Sequence, residues 1–238
     1  MSEQNTSFET VEAVDKVKGF WEKNNKMIIY LGTAIIVAIA GWIGYQKFIL
    51  EPNELKANEA IFPAENLFGK MATSGFNKDS VNIVLNGGEV DGTKIMGLLK
   101  IMNNNGGTKA SNRAAYMAGA CYLHIGEFDK AIKYLGDFSG NGADQVQAKA
   151  YLMMGHAYAE KNKVDDAMNY YKKAGSVNEK DESVTPDALM TYAMYAEANG
   201  KEKEAIDTYK KIKEQYPTFV SSGNGDIDKR LARLGEFN

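Results

Sequence analysis

Residues able to perform chemistry are sparse in this chain. It has two histidines, His124 and His156, and one cysteine, Cys121. Two imidazoles leave little material for a metal centre or a catalytic histidine network. One cysteine excludes an intrachain disulfide framework and any Cys-based zinc finger. Paired acids such as Asp165-Asp166 fall at the start of a periodic apolar segment, where charge near a helix N-terminus is their ordinary role. The glycines at 86–92 and 103–107 lack the strand–loop–helix setting and downstream Lys-Ser/Thr of a phosphate loop. No Gly-x-Ser-x-Gly elbow is present. The expectation is a protein without catalytic residues, cofactor or metal, and not an enzyme.

Charge narrows the partners. The 238 residues carry 28 basic and 31 acidic side chains, a formal net charge of −3. Such balance argues against a nucleic-acid binder, which shows a basic excess or stripe. Protein or peptide partners are expected instead. Twenty-seven alanines against four prolines point to a mostly helical chain.

Met27 to Tyr45 is a run of 19 residues without a charge, bracketed by Lys26 and Lys47. As a helix it spans roughly 28 Å, close to a bilayer hydrocarbon core. Trp21, Tyr30, Trp42, Tyr45 and Phe48 lie near its ends, where amphipathic rings favour the interface. A cleaved signal peptide would have a shorter apolar region followed by a small-residue cleavage site. Here Gln46-Lys47-Phe48-Ile49-Leu50 follows, so a retained anchor over 27–48 is expected. Lys16, Lys18, Lys23 and Lys26 precede it, against Lys47 and Lys56 within 20 residues after it. That bias favours a cytoplasmic N-terminus and a translocated C-terminal domain. Ala34, Ala38 and Gly41 share one helical face, with Gly44 nearby. Small residues there permit close helix–helix approach in lipid; the plainer reading is an anchor with ordinary small residues. Residues 1–26 form a tail in which Phe8, Val11, Val14, Val17 and Trp21 recur at helical spacing.

Past residue 110 the chain repeats. Gly126-Glu-Phe-Asp-Lys-Ala131-Ile-Lys-Tyr134 aligns with Lys163-Val-Asp-Asp-Ala167-Met-Asn-Tyr170 and with Gly200-Lys-Glu-Lys-Glu-Ala205-Ile-Asp-Thr-Tyr209. The anchor alanines are 36 and 38 residues apart. About nine residues before each stands a second set: Gly119 and Tyr122, Gly155 and Tyr158, Ala193 and Ala196. This pattern resembles the tetratricopeptide repeat (TPR), a helix–turn–helix unit of about 34 residues. The copy near 112–145 matches at Gly119, Tyr122, Ala131 and Leu135, with Ala115 in place of a large apolar residue. The copy near 148–181 matches at Gly155, Tyr158 and Ala167, and the copy near 186–219 at Ala193, Ala205 and Pro217. The third copy lacks the aromatic, having Ala196 there.

The resemblance implies a partner-binding groove formed by the first helices. By offset it comprises Arg113, Tyr116, Leu123 and His124; Lys149, Leu152, His156 and Glu160; and Asp187, Met190, Met194 and Glu197. The two histidines are then polar groove contacts, or simply partly buried imidazoles. Acids at 187 and 197 offset Arg113 and Lys149, which argues against the carboxylate clamp of one TPR subset. Met190 and Met194 read as an adaptable apolar contact or as ordinary packing.

The expected fold is all-α: a single transmembrane helix, then an α-solenoid of three to four TPR-like helix pairs and a C-terminal capping helix. Residues 53–110 read as a degenerate first pair with a long loop, with Ile61, Phe62, Leu67 and Phe68 inward on one helix and Lys94 to Met102 forming another. Residues 112–219 hold the three repeats and 226–235 the cap. One anchor plus a translocated repeat domain looks like bitopic proteins of the bacterial inner membrane with a periplasmic TPR domain, similar to the ancillary subunit of the Sec translocon. That likeness implies an adaptor between the translocon and periplasmic chaperones; cell-division or envelope machinery is the alternative client.

Overall fold

The computed structural model describes the backbone of residues 3–237 and the side chains of residues 18–237. The apolar positions Phe8, Val11, Val14 and Val17 therefore lie outside the described side chains. The chain divides into two units, Met1–Asn53 and Glu54–Asn238.

The first unit consists of α1 (Glu3–Tyr45) and a π-helical segment, Gln46–Leu50. Its apolar stretch is long and apolar enough to cross a membrane, and the apolar window is exposed. Ile35, Ile36, Val37, Ile39, Trp42 and Ile43 all face outward. Ala34, Ala38 and Gly41 are exposed too, and a Cβ added at Gly41 or Gly44 would meet nothing within 4 Å.

The second unit begins within α2 (Glu51–Ser74). Ala57, Ile61, Ala64, Leu67 and Met71 recur at spacings of three and four, so they share one stripe. That stripe is buried in one cluster with Ala110, Ala114, Met117, Ala118 and Cys121. Phe62 falls off it and is 61% exposed, which corrects the expectation that it points inward. Pro63 sits inside α2 without ending it.

Next come α3 (Lys78–Asn86) and two short strands, β1 (Gly88–Val90) and β2 (Thr93–Ile95). Asn77 caps α3 by accepting a 2.8 Å bond from the Ser80 amide. The strands pair antiparallel, Glu89 opposite Lys94 and Val90 opposite Thr93. Asp91 (φ 51°) and Gly92 (φ 76°) make the turn, the two positive φ values that a tight hairpin requires. The fold is mostly helical, but this ribbon stands where an all-α loop was expected. The helix expected over 94–102 is confined to α4 (Leu98–Asn104), because residues 93–95 belong to β2.

Three helix pairs follow: α5 (Lys109–His124) with α6 (Phe128–Asp137), α7 (Asp144–Glu160) with α8 (Val164–Ala174), and α9 (Val184–Ala198) with α10 (Glu202–Gln215). Each pair turns in the same way. Gly126, Asn162 and Gly200 take positive φ. The next amide, of Glu127, Lys163 or Lys201, returns to the carbonyl of Tyr122, Tyr158 or Ala196 at 2.9 Å. Ala131, Ala167 and Ala205 sit in the first turn of each second helix and are fully buried.

A short helix, α11 (Val220–Gly223), leads to α12 (Asp226–Arg233). Ile227 and Leu231, four apart, bury with Tyr209, Ile212 and Tyr216 and close the end of the apolar core.

Candidate partner-binding face

The first helices α5, α7 and α9 position the expected groove residues, and their fates differ. On α5, two are already engaged. Arg113 donates to Glu65 at 2.7 Å and to Asn58 at 2.9 Å, both on α2. His124 stacks on Phe76, with centroids 3.8 Å apart. Burial lowers the pKa of this imidazole. Tyr116 packs against Phe138 at 5.2 Å, and Leu123 is half-buried. The face of the first pair is therefore partly covered by α2 and the segment after it, with Arg113 and His124 keeping exposed surface. Glu54 strengthens that cover by accepting the Lys109 amide at 2.7 Å and the Ala110 amide at 3.3 Å, satisfying free donors at the start of α5.

On α7, Lys149 and Glu160 are exposed and Leu152 is half-buried. The His156 Nδ1 lies 2.9 Å from the Tyr171 hydroxyl on α8. Burial lowers the His156 pKa against a smaller opposing effect of Glu160.

On α9, Asp187, Met190 and Met194 come together in a cleft of about 700 Å³. Phe219 and Ser221 line it too, and from α12 come Lys229, Arg230 and Arg233, a basic wall that also carries Asp226. Met194 is 41% exposed there. Glu197, the fourth expected residue on α9, does not line the cleft. It accepts from the Tyr209 hydroxyl at 2.7 Å, from Arg230 at 3.1 Å and from Arg233 at 2.6 Å. Burial pushes its carboxyl up, but the Tyr209 hydrogen bond and the two guanidinium charges outweigh this and hold it below the ordinary value. The basic wall is what the sequence reading missed. Its signal was Asp-Ile-Asp-Lys-Arg-Leu-Ala-Arg, an amphipathic helix whose polar face carries cations three and four apart.

Cys121 is buried among alanines and methionine, and burial lifts its thiol pKa to about 12. Asp165 and Asp166 are exposed in the first turn of α8. Among the described residues no three His, Cys, Asp or Glu side chains converge as metal ligands.

Models of the tetratricopeptide repeat match residues 113–140, 148–181 and 187–218. The chain carries tetratricopeptide repeats. The TPR repeat-containing protein MJ0263 of Methanocaldococcus jannaschii is 33% identical over 93 residues, which is 38% of this chain. The match spans 28% of the length of that relative. A solved structure titled "MamA RS-1 ArsTM double mutant" aligns at 16% identity with a TM-score of 0.48, over 79% of this chain and 94% of its own.

The TPR signature residues have direct packing counterparts. A Cβ on Gly119 would come 2.5 Å from Leu135 Cγ, and one on Gly155 would come 2.5 Å from the Tyr171 ring. These partners stand sixteen positions on; the equivalent pair in the third repeat is Ala193 and Tyr209, both fully buried. Tyr122 stacks on Tyr134 at 5.3 Å and Tyr158 on Tyr170 at 5.2 Å, each twelve positions apart. In the third repeat both members change, to Ala196 and Thr208. Lys130 and Lys163 lie over the Tyr122 and Tyr158 rings at 5.3 and 5.8 Å. Pro217 is exposed just beyond the α10 C-cap, Tyr216, so it stops a helix instead of packing in the core.

Proposed function

We propose that this chain is a membrane-held, non-enzymatic scaffold that binds protein or peptide partners through the first-helix face of its TPR repeats. The observation that carries this reading is the cleft at α9, where exposed Met194 and half-buried Met190 lie beside charged residues of both signs. Accessible apolar side chains beside charged ones are the materials of a protein interface. The apolar run Met27–Tyr45 supplies the membrane attachment, and the excess of lysines before it sets a cytoplasmic N-terminus. On this reading the protein is a bitopic component of the bacterial inner membrane with its repeats in the periplasm. There it links the Sec translocon with periplasmic chaperones.

Two experiments test the proposal. An export-dependent reporter fused after Asn238 should be active; a reporter active only in the cytoplasm overturns the topology. Affinity capture of the full-length protein from mild detergent, read by quantitative mass spectrometry, should enrich translocon subunits and chaperones. Enrichment of cell-division or envelope-assembly proteins instead would reassign the client. Enrichment of nothing over a variant reduced to residues 1–53 would overturn the scaffold role.

A further inference from the structure

We infer that the cleft between α9 and α12 takes an extended peptide segment of about five residues, apolar in its middle and acidic at one end, with the acidic end at Arg230 and Arg233. The inference rests on the scaffold reading and names the chemistry of the partner.

The charges in the cleft are separated along α9. Asp187 lies in the first turn and is exposed. Its carboxylate has no ion-pair partner among the described residues. Ten positions further, about 15 Å along the helix axis, stands the Glu197 cluster. One carboxylate there meets two guanidiniums, so the Arg230–Glu197–Arg233 group keeps one positive charge in excess. Lys229 does not add to it, because Asp226 lies 3.5 Å away. The Arg233 side chain is 62% exposed, and its one described hydrogen bond uses a single one of its five N–H donors. The cleft is thus negative at one end, positive at the other, and floored between them by Met190, Met194 and Phe219.

A strand advances about 3.3 Å per residue, so roughly five residues bridge the two poles. Alternate side chains of such a strand meet the floor. Methionine adapts to apolar groups of varied shape, so the floor sets hydrophobic character and the poles set direction. A basic side chain at the Asp187 end and carboxylates at the arginine end satisfy both poles at once. The reverse orientation sets like charges against each other.

The test uses the full-length protein in detergent micelles and fluorescein-labelled peptides read by anisotropy. The probe is Lys-Ser-Leu-Ser-Leu-Asp-Glu; the controls are a version beginning in Gln and a version ending in Asn-Gln. The probe should bind at low salt, and both controls about tenfold more weakly. Arg233→Gln, an exposed change that keeps the fold, should cost about tenfold for the probe and nothing for the Asn-Gln control. Met194→Lys should weaken both. Equal binding of probe and controls, no binding of the probe, or indifference to Arg233→Gln would each overturn the inference. Affinity capture with the Arg233→Gln, Met194→Lys double variant separates the two readings. Undiminished partner recovery overturns the cleft assignment and leaves the scaffold role standing; selective loss of partners supports the cleft.

Discussion

Replacing Gly155 by alanine adds one methyl group inside the second repeat. The new Cβ would stand 2.5 Å from both Cδ1 and Cε1 of Tyr171, where carbon atoms prefer about 3.5 Å or more. The ring has to retreat by about 1 Å, and it is held on several sides. Tyr171 is buried, its hydroxyl pairs with His156 at 2.9 Å, and it lies edge-on to Tyr195 at 5.3 Å. Overpacking of this kind costs 1–3 kcal/mol, and a pinned ring places Gly155→Ala near 3 kcal/mol. Alanine returns about 1 kcal/mol through its higher helix propensity. The net expectation is a loss of about 2 kcal/mol, a fall of about 4–8 °C in Tm. Gly136→Ala supplies the control. This glycine is exposed on α6, and its added Cβ would meet only Met154 Cε, at 3.9 Å. Propensity alone acts there, so Tm should rise by about 2–4 °C. Thermal unfolding followed by far-UV circular dichroism measures both. If Gly155→Ala stabilises as much as Gly136→Ala does, close helix approach is not what selects glycine at this position.

Three further outcomes are expected. Glu197→Gln should destabilise the fold at pH 7 by about 1–3 kcal/mol, because two guanidiniums and the Tyr209 hydroxyl lose an ionised acceptor. The carboxyl has a lowered folded-state pKa, so its contribution is present above the ordinary value near 4.3 and is lost as pH falls through the folded value. Urea titrations from pH 6 to pH 3 should accordingly show a steeper acid loss for wild type than for Glu197→Gln. Cys121, with its pKa near 12, carries only about one thiolate in 10⁵ at pH 7. An aromatic disulfide reagent should leave it unmodified in native protein and label it at once in urea. Gly97→Ala would set a Cβ 2.4 Å from the Asn86 carbonyl carbon and 2.5 Å from the Gly87 nitrogen. Backbone cannot yield as a side chain can, so a loss of about 3 kcal/mol and loosened hydrogen-exchange protection over residues 86–104 are expected.

What could be read from the sequence was local and periodic. Ala131, Ala167 and Ala205 stand out because each must touch a helix nine residues upstream, and only small side chains fit. Gly119 and Gly155 announce themselves for the same reason. The hairpin at 88–95 was missed although Asp91-Gly92 is a strong turn signal, because only one of its side chains, Ile95, is buried and no alternating pattern develops. The fate of the groove could not be read at all. Arg113 pairs with Glu65, His124 with Phe76, and Glu197 with Arg230, over separations of 48, 48 and 33 positions. Offsets within a repeat identify which face a side chain occupies. They do not reveal that a helix from outside the repeats already covers part of that face.

The cover on α5 has a mechanical side. Glu54 stands at the start of the second unit, and its carboxylate holds the start of α5 through the Lys109 and Ala110 amides. Tension on the start of α2 would load those two bonds and the Arg113–Glu65 pair one after another. Contacts strained in series give way at low force, like a zipper opened from its end. The glycine contacts of the repeats lie outside that line. Pulling on the N-terminal side would bare the face of α5 while the three helix pairs stay folded.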